Sequence, residues 1–535
     1  NISQRIERLM EEMAFECSPY QSSLFTSLLD AAKHHGRFSK IMDGHDFTSY
    51  SYQSLITKSC ILGTYFSRIT EEKEQVGVLL PTSCPTVISF FGLISHGRIP
   101  VMLNYSLSEE RLMETINLIG VKTIITSHKF LENLPHLAEL RTTLNNLRIN
   151  VVHLEDLKNK KSGQHSLTLD DNIQGLFFSL MPNHYYKEYF PEHDDLAVIL
   201  FTSGSEQIPK AVALSHENLN ANQAQVTACL DFTAKDLLMN VLPIYHSFGL
   251  TAGVLMPLLS GVPVFLYPNP LHHKVIPNLA YDMNATLLFG TSSLLLKYGE
   301  AAHGYDFYSM RYVIAGAEKL SHTTKTLWQD KFGIRILEGY GMTEAAPVVA
   351  FNTPMHYKEG SVGKLLPGMT AKIKPIDGIA EGGELCLKGP NVMMGYYDGH
   401  AITHPNEEYG YETGDIVTID QEGFITIQGR LKRFAKISGE MVPLTYVEEL
   451  IHKHFSDDKH TVVAIPHETR GEELILVTTK SDLKQKDVTS VFTDNKYPIL
   501  FCPKKIHIVE EIPLMGTGKV DVNAVKQMVL RAQLN

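Results

Sequence analysis

The chain has six cysteines in 535 residues, and no two of them form a Cys-x-x-Cys pair. That scatter excludes a disulfide framework or a zinc ribbon and suits a reducing compartment. Positive charge is also scarce: 48 Lys and Arg face 59 Asp and Glu, and the net charge of −11 argues against a nucleic-acid binder. No Gly-Lys-Ser/Thr ends a glycine loop, so there is no Walker loop, and no GxGxxG follows a strand as in a dinucleotide fold. No internal repeat or low-complexity tract is seen, and residues 1–20 do not read as a secretory signal.

What is present is an ordinary globular composition, 44% hydrophobic and 20% charged. At this length more than one core is needed, so two or more domains are expected. Charge is uneven: residues 430–535 carry 16 Lys/Arg and 14 Asp/Glu, a net +2, which leaves −13 for residues 1–429. Residues 241–267 are almost wholly apolar and long enough to cross a bilayer, which takes about 20 residues. Three prolines and three glycines break that run, so it reads as a loop carrying Tyr245, His246 and Ser247, then a buried helix, then a strand over 262–267. At the N-terminus Ile2, Ile6, Leu9, Met10 and Met13 share one face of a helix. The expectation is that this helix docks on its own domain, with a membrane surface as the alternative.

Strand-like runs such as residues 76–80 alternate with helical patterns such as residues 85–96 through the first 330 residues, which predicts parallel sheets flanked by helices. From about Ser361 short strands and glycine turns take over and predict a small antiparallel or barrel-like unit. A charged, turn-like segment at residues 429–433 marks the clearest boundary. The fold expected is α/β: a large N-terminal domain, residues 1–429, of two helix-flanked sheets plus a small β-barrel-like unit, then a small mobile α+β C-terminal domain, residues 430–535. Residues 1–20 form the amphipathic helix or a linker.

Four stretches point to chemistry. Residues 200–210, Leu-Phe-Thr-Ser-Gly-Ser-Glu-Gln-Ile-Pro-Lys, follow a buried strand with three hydroxyls, an open glycine backbone and a lysine. This composition suits a polyphosphate, and equally a polar turn. Residues 338–344, Glu-Gly-Tyr-Gly-Met-Thr-Glu, offer a ring for a base, a hydroxyl for phosphate and a carboxylate for Mg2+. Asp415, with Arg430 fifteen residues later, suits a ribose or is a surface ion pair. Lys519 sits on the glycine turn 516–519, where domain movement could carry it into a pocket.

In this order, together with residues 76–104 and 242–250, the motifs resemble those of the adenylate-forming enzymes: acyl- and aryl-CoA synthetases, luciferases and peptide-synthetase adenylation domains. Within them, residues 327–341, 343–349 and 428–442 most resemble the acyl-ACP synthetase domain of bifunctional 2-acylglycerophosphoethanolamine acyltransferase/acyl-ACP synthetases. The acyltransferase half of those proteins is not in the chain, so a stand-alone synthetase or the C-terminal part of a longer one is expected.

The resemblance implies a fatty acid ligase of the acid–thiol, AMP-forming class, using ATP and Mg2+. A fatty acid is adenylated, and its acyl group then passes to the thiol of acyl carrier protein, with coenzyme A as the alternative acceptor. It implies that Thr202, Ser203, Gly204, Ser205 and Lys210 hold the β- and γ-phosphates, Glu344 binds Mg2+ and Thr343 meets the α-phosphate. Gly316, Ala317 and Glu318 line one side of the adenine, and Glu338, Gly339 and Tyr340 the other. Asp415 and Arg430 take the ribose, and Lys519 bridges carboxylate and α-phosphate. His246 lies near the substrate carboxylate, Lys432 is the hinge, and Gly439 borders the pantetheine channel. Gln207 and Ala211 stand where the family usually has glycine, which weakens the individual contacts of the loop.

The fatty acid is medium to long, with residues 249–266 and 287–293 as pocket walls. Lys432, Arg433, Lys436, Lys504 and Lys505 are candidates to meet an acidic carrier protein or the phosphates of coenzyme A. A cytoplasmic location is expected, with peripheral contact at the inner face of the membrane left open by the first helix.

Overall fold

The computed structural model describes residues 2–36, 39–158, 166–182, 191–202, 209–379, 381–455, 459–467, 469–513 and 520–534. Its chain divides into two compact units. The first comprises Asn1–Ser203, Ile208–Thr370 and Gly389–Pro405, and the second is built from Ala371–Lys388 and Asn406–Asn535. The boundary expected at Arg430 therefore falls inside the second unit. Within that unit Met441 N donates to Gly378 O at 3.1 Å, one link between residues 371–388 and the C-terminal residues.

Two large sheets organise the first unit. One runs in the order Lys364–Leu365, Val348–Phe351, Ile336–Gly341, Tyr312–Ala315, Leu287–Gly290, Leu238–Asn240, Val264–Leu266, Ser39–Asp43, Ser49–Ser51. Its central pairings, from Ile336–Gly341 through to Ser39–Asp43, are parallel. The other runs Ile402–Thr403, Gly395–Tyr397, Ala211–Ser215, Leu196–Phe201, Ile99–Met102, Gln75–Val78, Thr123–Thr126, Asn150–His153. In the second unit Thr370–Lys374, Gly383–Lys388, Tyr411–Ile419 and Ile425–Arg430 form one sheet. Glu440–Pro443, Phe434–Ile437, Gly471–Thr478, His460–His467 and Lys505–Ile508 form another. The β-rich stretch after Ser361 is thus shared out. Its outer strands complete the two large sheets, and only four strands make the small one.

Local chemistry sets the helix ends. Ser23, Ser51, Ser215 and Ser321 each accept a first-turn N–H, satisfying donors that have no partner within the helix. Helix His322–Phe332 stops at Gly333, whose φ of 69° suits a residue without a Cβ. Helices Tyr52–Ile69 and Cys84–Ser95 pack at Gly63 and Gly92; a Cβ on Gly63 would lie 2.5 Å from Gly92 O and 2.2 Å from the His96 ring. Helix Cys84–Ser95, expected to be amphipathic, is buried almost all round.

The apolar run folds as a π-helix, Phe248–Leu255, a short α-helix, Met256–Leu259, and the strand Val264–Leu266. The wide helix fits because Gly249 and Gly253 have no side chains: a Cβ would stand 2.1 Å from Pro243 O at the first and 2.5 Å from the Asn240 amide at the second. Asn240 Nδ2 donates to Gly249 O. No helix among the described residues is long and apolar enough to cross a membrane.

Helix Ile2–Glu16 corrects one expectation. It docks, but with its polar face inward. Arg8 donates to Leu365 O at 2.9 Å, Glu11 is buried, and Phe15 packs on Ala221, Ala224 and Tyr20. Ile2, Ile6, Leu9, Met10 and Met13 face outward, each more than half exposed. Apolar periodicity alone could not reveal this, because polar partners spent on Arg8 and Glu11 decide the rotation.

Candidate active site

The stretch 200–210 joins two antiparallel strands, Leu196–Phe201 and Ala211–Ser215, rather than leading into a helix. Thr202 and Lys210 clasp its base: Thr202 N donates to Lys210 O at 3.0 Å, and Lys210 N donates to Thr202 Oγ1 at 3.1 Å. This clasp sets where the loop starts and ends. Ser203, Gly204, Ser205 and Gln207 lie outside the described residues, as does Lys519. Ala211 is buried in strand register opposite Phe201, a place where its small side chain fits.

The Lys210 Nζ lies 4.5 Å from the centre of the Tyr396 ring, and the Tyr396 hydroxyl donates to Glu344 Oε1 at 2.7 Å. One tyrosine thus couples the loop lysine, through its ring face, to the buried glutamate, through its hydroxyl. Strand pairing makes this possible, since Tyr396 stands opposite Val212 on the strand that pairs with Ala211–Ser215. Sequence reasoning missed Tyr396. It is 52 residues from Glu344, and no local motif marks it; only the strand register brings it in.

Thr343–Ala345 is a single 3-10 turn after the strand Ile336–Gly341. Met393 N donates to Glu344 O at 2.8 Å, and Ser247 Oγ donates to Thr343 Oγ1 at 3.5 Å, so the residue after His246 reaches the turn. His246 itself is half-buried at the head of the π-helix. Its N–H donates to Pro243 O, its carbonyl accepts from Leu250 N, and its ring lies 4.5 Å from that of Tyr245. π-Helical turns are frequent at functional sites.

Gly316, Ala317 and Glu318 follow the carboxyl end of Tyr312–Ala315, and Glu338, Gly339 and Tyr340 lie on the neighbouring parallel strand, with Ala315 opposite Glu338. Clefts at the carboxyl ends of parallel strands are where open α/β sheets bind ligands. A Cβ on Gly316 would lie 3.2 Å from the Phe248 ring, and one on Gly339 3.2 Å from Phe351 Cβ, so a side chain at either position would crowd its phenylalanine neighbour. Ala317 has a φ of 67°, a strained setting of the kind found at binding sites. Glu318 accepts from the Ser293 hydroxyl and N–H, which ties it to the turn after Leu287–Gly290. Burial pushes the Glu338 carboxyl above its usual range, partly offset by Lys325 and Lys319.

In the second unit, Asp415 and Arg430 face each other across the pair Tyr411–Ile419 and Ile425–Arg430, with Arg430 Nε 2.7 Å from Asp415 Oδ1. Asp415 is buried and its N–H donates to Thr413 Oγ1, whereas the Arg430 side chain is 65% exposed. Lys432 is exposed on the 3-10 turn Leu431–Arg433, and Gly439 closes a two-residue turn with Ser438, both at positive φ. Of the five cations proposed to meet the acceptor, Arg433 and Lys505 are held in ion pairs, with Glu448 at 2.6 Å and Glu473 at 2.5 Å.

A family model described as AMP-binding enzyme matches residues 29–397. The chain belongs to the AMP-binding enzyme family. It is thus an enzyme of the adenylate-forming superfamily, whose members use ATP. Among curated proteins it is 29% identical to a long-chain-fatty-acid–CoA ligase of Salmonella typhimurium over 84% of both chains. It is 26% identical to a probable 4-coumarate–CoA ligase of Dictyostelium discoideum over 90% of both. Among solved structures it superposes on ATP-bound MatB from Rhodopseudomonas palustris with a TM-score of 0.78 at 24% identity, covering 95% of this chain and 98% of that one. On o-succinylbenzoate coenzyme A synthetase from Bacillus subtilis, bound to ATP and magnesium, the TM-score is 0.76 at 19% identity, covering 94% and 99%. These likenesses show the family fold, a mixed α/β architecture with a large N-terminal and a small C-terminal domain.

Proposed function

We propose that this AMP-forming acid–thiol ligase activates a fatty acid as its acyl-adenylate and passes the acyl group to the thiol of coenzyme A. The observation that carries the reading is the line Lys210–Tyr396–Glu344 beside the clasped loop. It sets a cation and a fixed carboxylate next to a strand–loop–strand whose composition suits phosphates. In the first half-reaction a carboxylate oxygen of the fatty acid attacks the α-phosphorus of ATP, and pyrophosphate leaves. Lys210 and the hydroxyls of Thr202, Ser203 and Ser205 hold the departing phosphates, and Thr343 contacts the α-phosphate. Lys519 bridges the substrate carboxylate and α-phosphate, offsetting the charge that builds as the new P–O bond forms. His246 orients the fatty acid carboxylate, Asp415 and Arg430 hold the ribose, and the glycines at 316 and 339 admit the adenine with Ala317, Glu318, Glu338 and Tyr340 around it.

Glu344 fits a hard cation. It is a buried carboxylate with one oxygen fixed by Tyr396, and Mg2+ is commonly held by one or two carboxylates with substrate phosphates and water. Bound there, Mg2+ supplies charge neutralisation of the phosphate oxygens. In the second half-reaction the thiol attacks the acyl carbon, its proton leaves to solvent, and AMP departs. Residues 430–535 turn about Lys432 between the two steps, and Gly439 borders the path of the pantetheine.

Coenzyme A as acceptor, and a fatty acid as substrate, are supported by the fatty-acid–CoA ligases among the relatives. Acyl carrier protein is the second reading, favoured by the resemblance at residues 327–349 and 428–442 and by the exposed Lys432, Lys436 and Lys504. Thioester formation measured side by side with coenzyme A and with holo-acyl carrier protein tests the choice. A strong preference for the carrier protein would replace coenzyme A, and no thioester with either would remove the second half-reaction.

A further inference from the structure

Helix Ile2–Glu16 seats its polar face on the segment that follows strand Val348–Phe351, and one side chain of that segment is out of keeping with its surroundings. His356 is 4% exposed, yet neither Nδ1 nor Nε2 has a hydrogen-bond partner. Buried polar groups are nearly always paired. The ring nitrogen Nε2 points at Glu7 Oε2, 3.4 Å away, which is itself buried and without a hydrogen bond. Glu11, also buried, lies one helical turn on, so Glu7 and Glu11 present carboxylates from the same face of the helix. One ligand atom from each of the three residues falls within 4.8 Å of the others.

We propose that Glu7, Glu11 and His356 bind a divalent transition metal of the zinc type, completed by a water, that pins the N-terminal helix to the rest of the first unit. Imidazole with two carboxylates is a borderline donor set that suits zinc better than magnesium or calcium. The 3.4 Å separation already observed matches the ~3.3 Å edge of a tetrahedron with metal–ligand bonds of ~2.0 Å. Arg8 Nη1 holds Glu11 at Oε2, 3.3 Å away, and also donates to Leu365 O, which orients the ligand from behind. Two cations, Arg8 and Lys364, face the group, but two carboxylates and a neutral ring leave a −2 donor set for a +2 ion. None of the three ligands is among the residues assigned to ATP or the fatty acid, and the role of the site is structural.

The test uses the full chain, stripped with a chelator and titrated with Zn2+ in magnesium-free buffer, with Co2+ as a spectroscopic probe. We expect one equivalent to bind, a Tm that rises with Zn2+, and tetrahedral Co2+ absorption without a thiolate charge-transfer band. His356→Gln should abolish all three, and Glu7→Gln should weaken binding at least ~10-fold. The metal-free Tm of each variant reports whether it folds. An equivalent that persists in His356→Gln, a thiolate band pointing to Cys17, or the absence of any bound equivalent would overturn the proposal.

Discussion

The hydroxyl of Tyr396 donates to Glu344 at 2.7 Å while the ring of the same residue lies 4.5 Å from the Lys210 ammonium. The two halves of this side chain can be separated by mutation. Tyr396→Phe removes the donor and keeps the ring. A hydrogen bond to a charged group contributes about 1.5–3 kcal/mol, so kcat/KM for ATP should fall ~10–100-fold, with a raised Mg2+ requirement. Tyr396→Ala should fall further because Lys210 also loses its support. Steady-state kinetics over ATP and Mg2+ concentrations check both.

The Asp415–Arg430 pair gives a different split. With its side chain 65% exposed, Arg430 gains at most about 1 kcal/mol from the ion pair. Arg430→Ala should therefore leave Tm nearly unchanged while KM for ATP rises, whereas Asp415→Ala, at a buried position, should lower both Tm and activity. Melting curves and initial rates on the two variants check this.

Gly63 lets helices Tyr52–Ile69 and Cys84–Ser95 touch. Gly63→Ala puts a methyl into the backbone and ring of its neighbours, and such overpacking costs about 1–3 kcal/mol. A lower Tm with ATP affinity unchanged is the expected result by calorimetry and nucleotide titration.

His216 is buried, and its Nδ1 accepts a hydrogen bond from Leu24 N, which requires the neutral ring. Burial pushes its pKa down to about 3, and that of His96 likewise to about 3. Between these values and the ordinary histidine pKa near ~6.5, the unfolded chain binds protons that the folded chain does not. Stability from these residues is complete above that ordinary value and is lost as pH falls toward 3, by up to about 1.4 kcal/mol per pH unit for each. His216→Gln should flatten the acid limb of a denaturation series.

Much of the candidate site could be proposed from the sequence because its chemistry is local. The hydroxyl loop at 202–210, the Thr343–Glu344 turn and the glycines at 316 and 339 are contiguous stretches, and a resemblance in motif order is enough to find them. Tyr396 was not legible, because only the pairing of Gly395–Tyr397 with Ala211–Ala213 carries it to Lys210. The first helix misled for a related reason. Its apolar stripe predicted the buried face, but the bond from Arg8 to Leu365 and the buried Glu11 set the rotation, and Leu365 is more than 300 residues from Arg8. The wide turn of Phe248–Leu255 was read only as a buried helix, since its register depends on Asn240 reaching Gly249.

Every residue role proposed for this chain rests on its adenylating a fatty acid. ATP–pyrophosphate exchange measured across a series of fatty acid chain lengths decides that point. Exchange should depend on added fatty acid and fall ~10²–10³-fold in Lys519→Ala. Absence of exchange with fatty acids of every length, or full exchange in Lys519→Ala, would overturn the assignment.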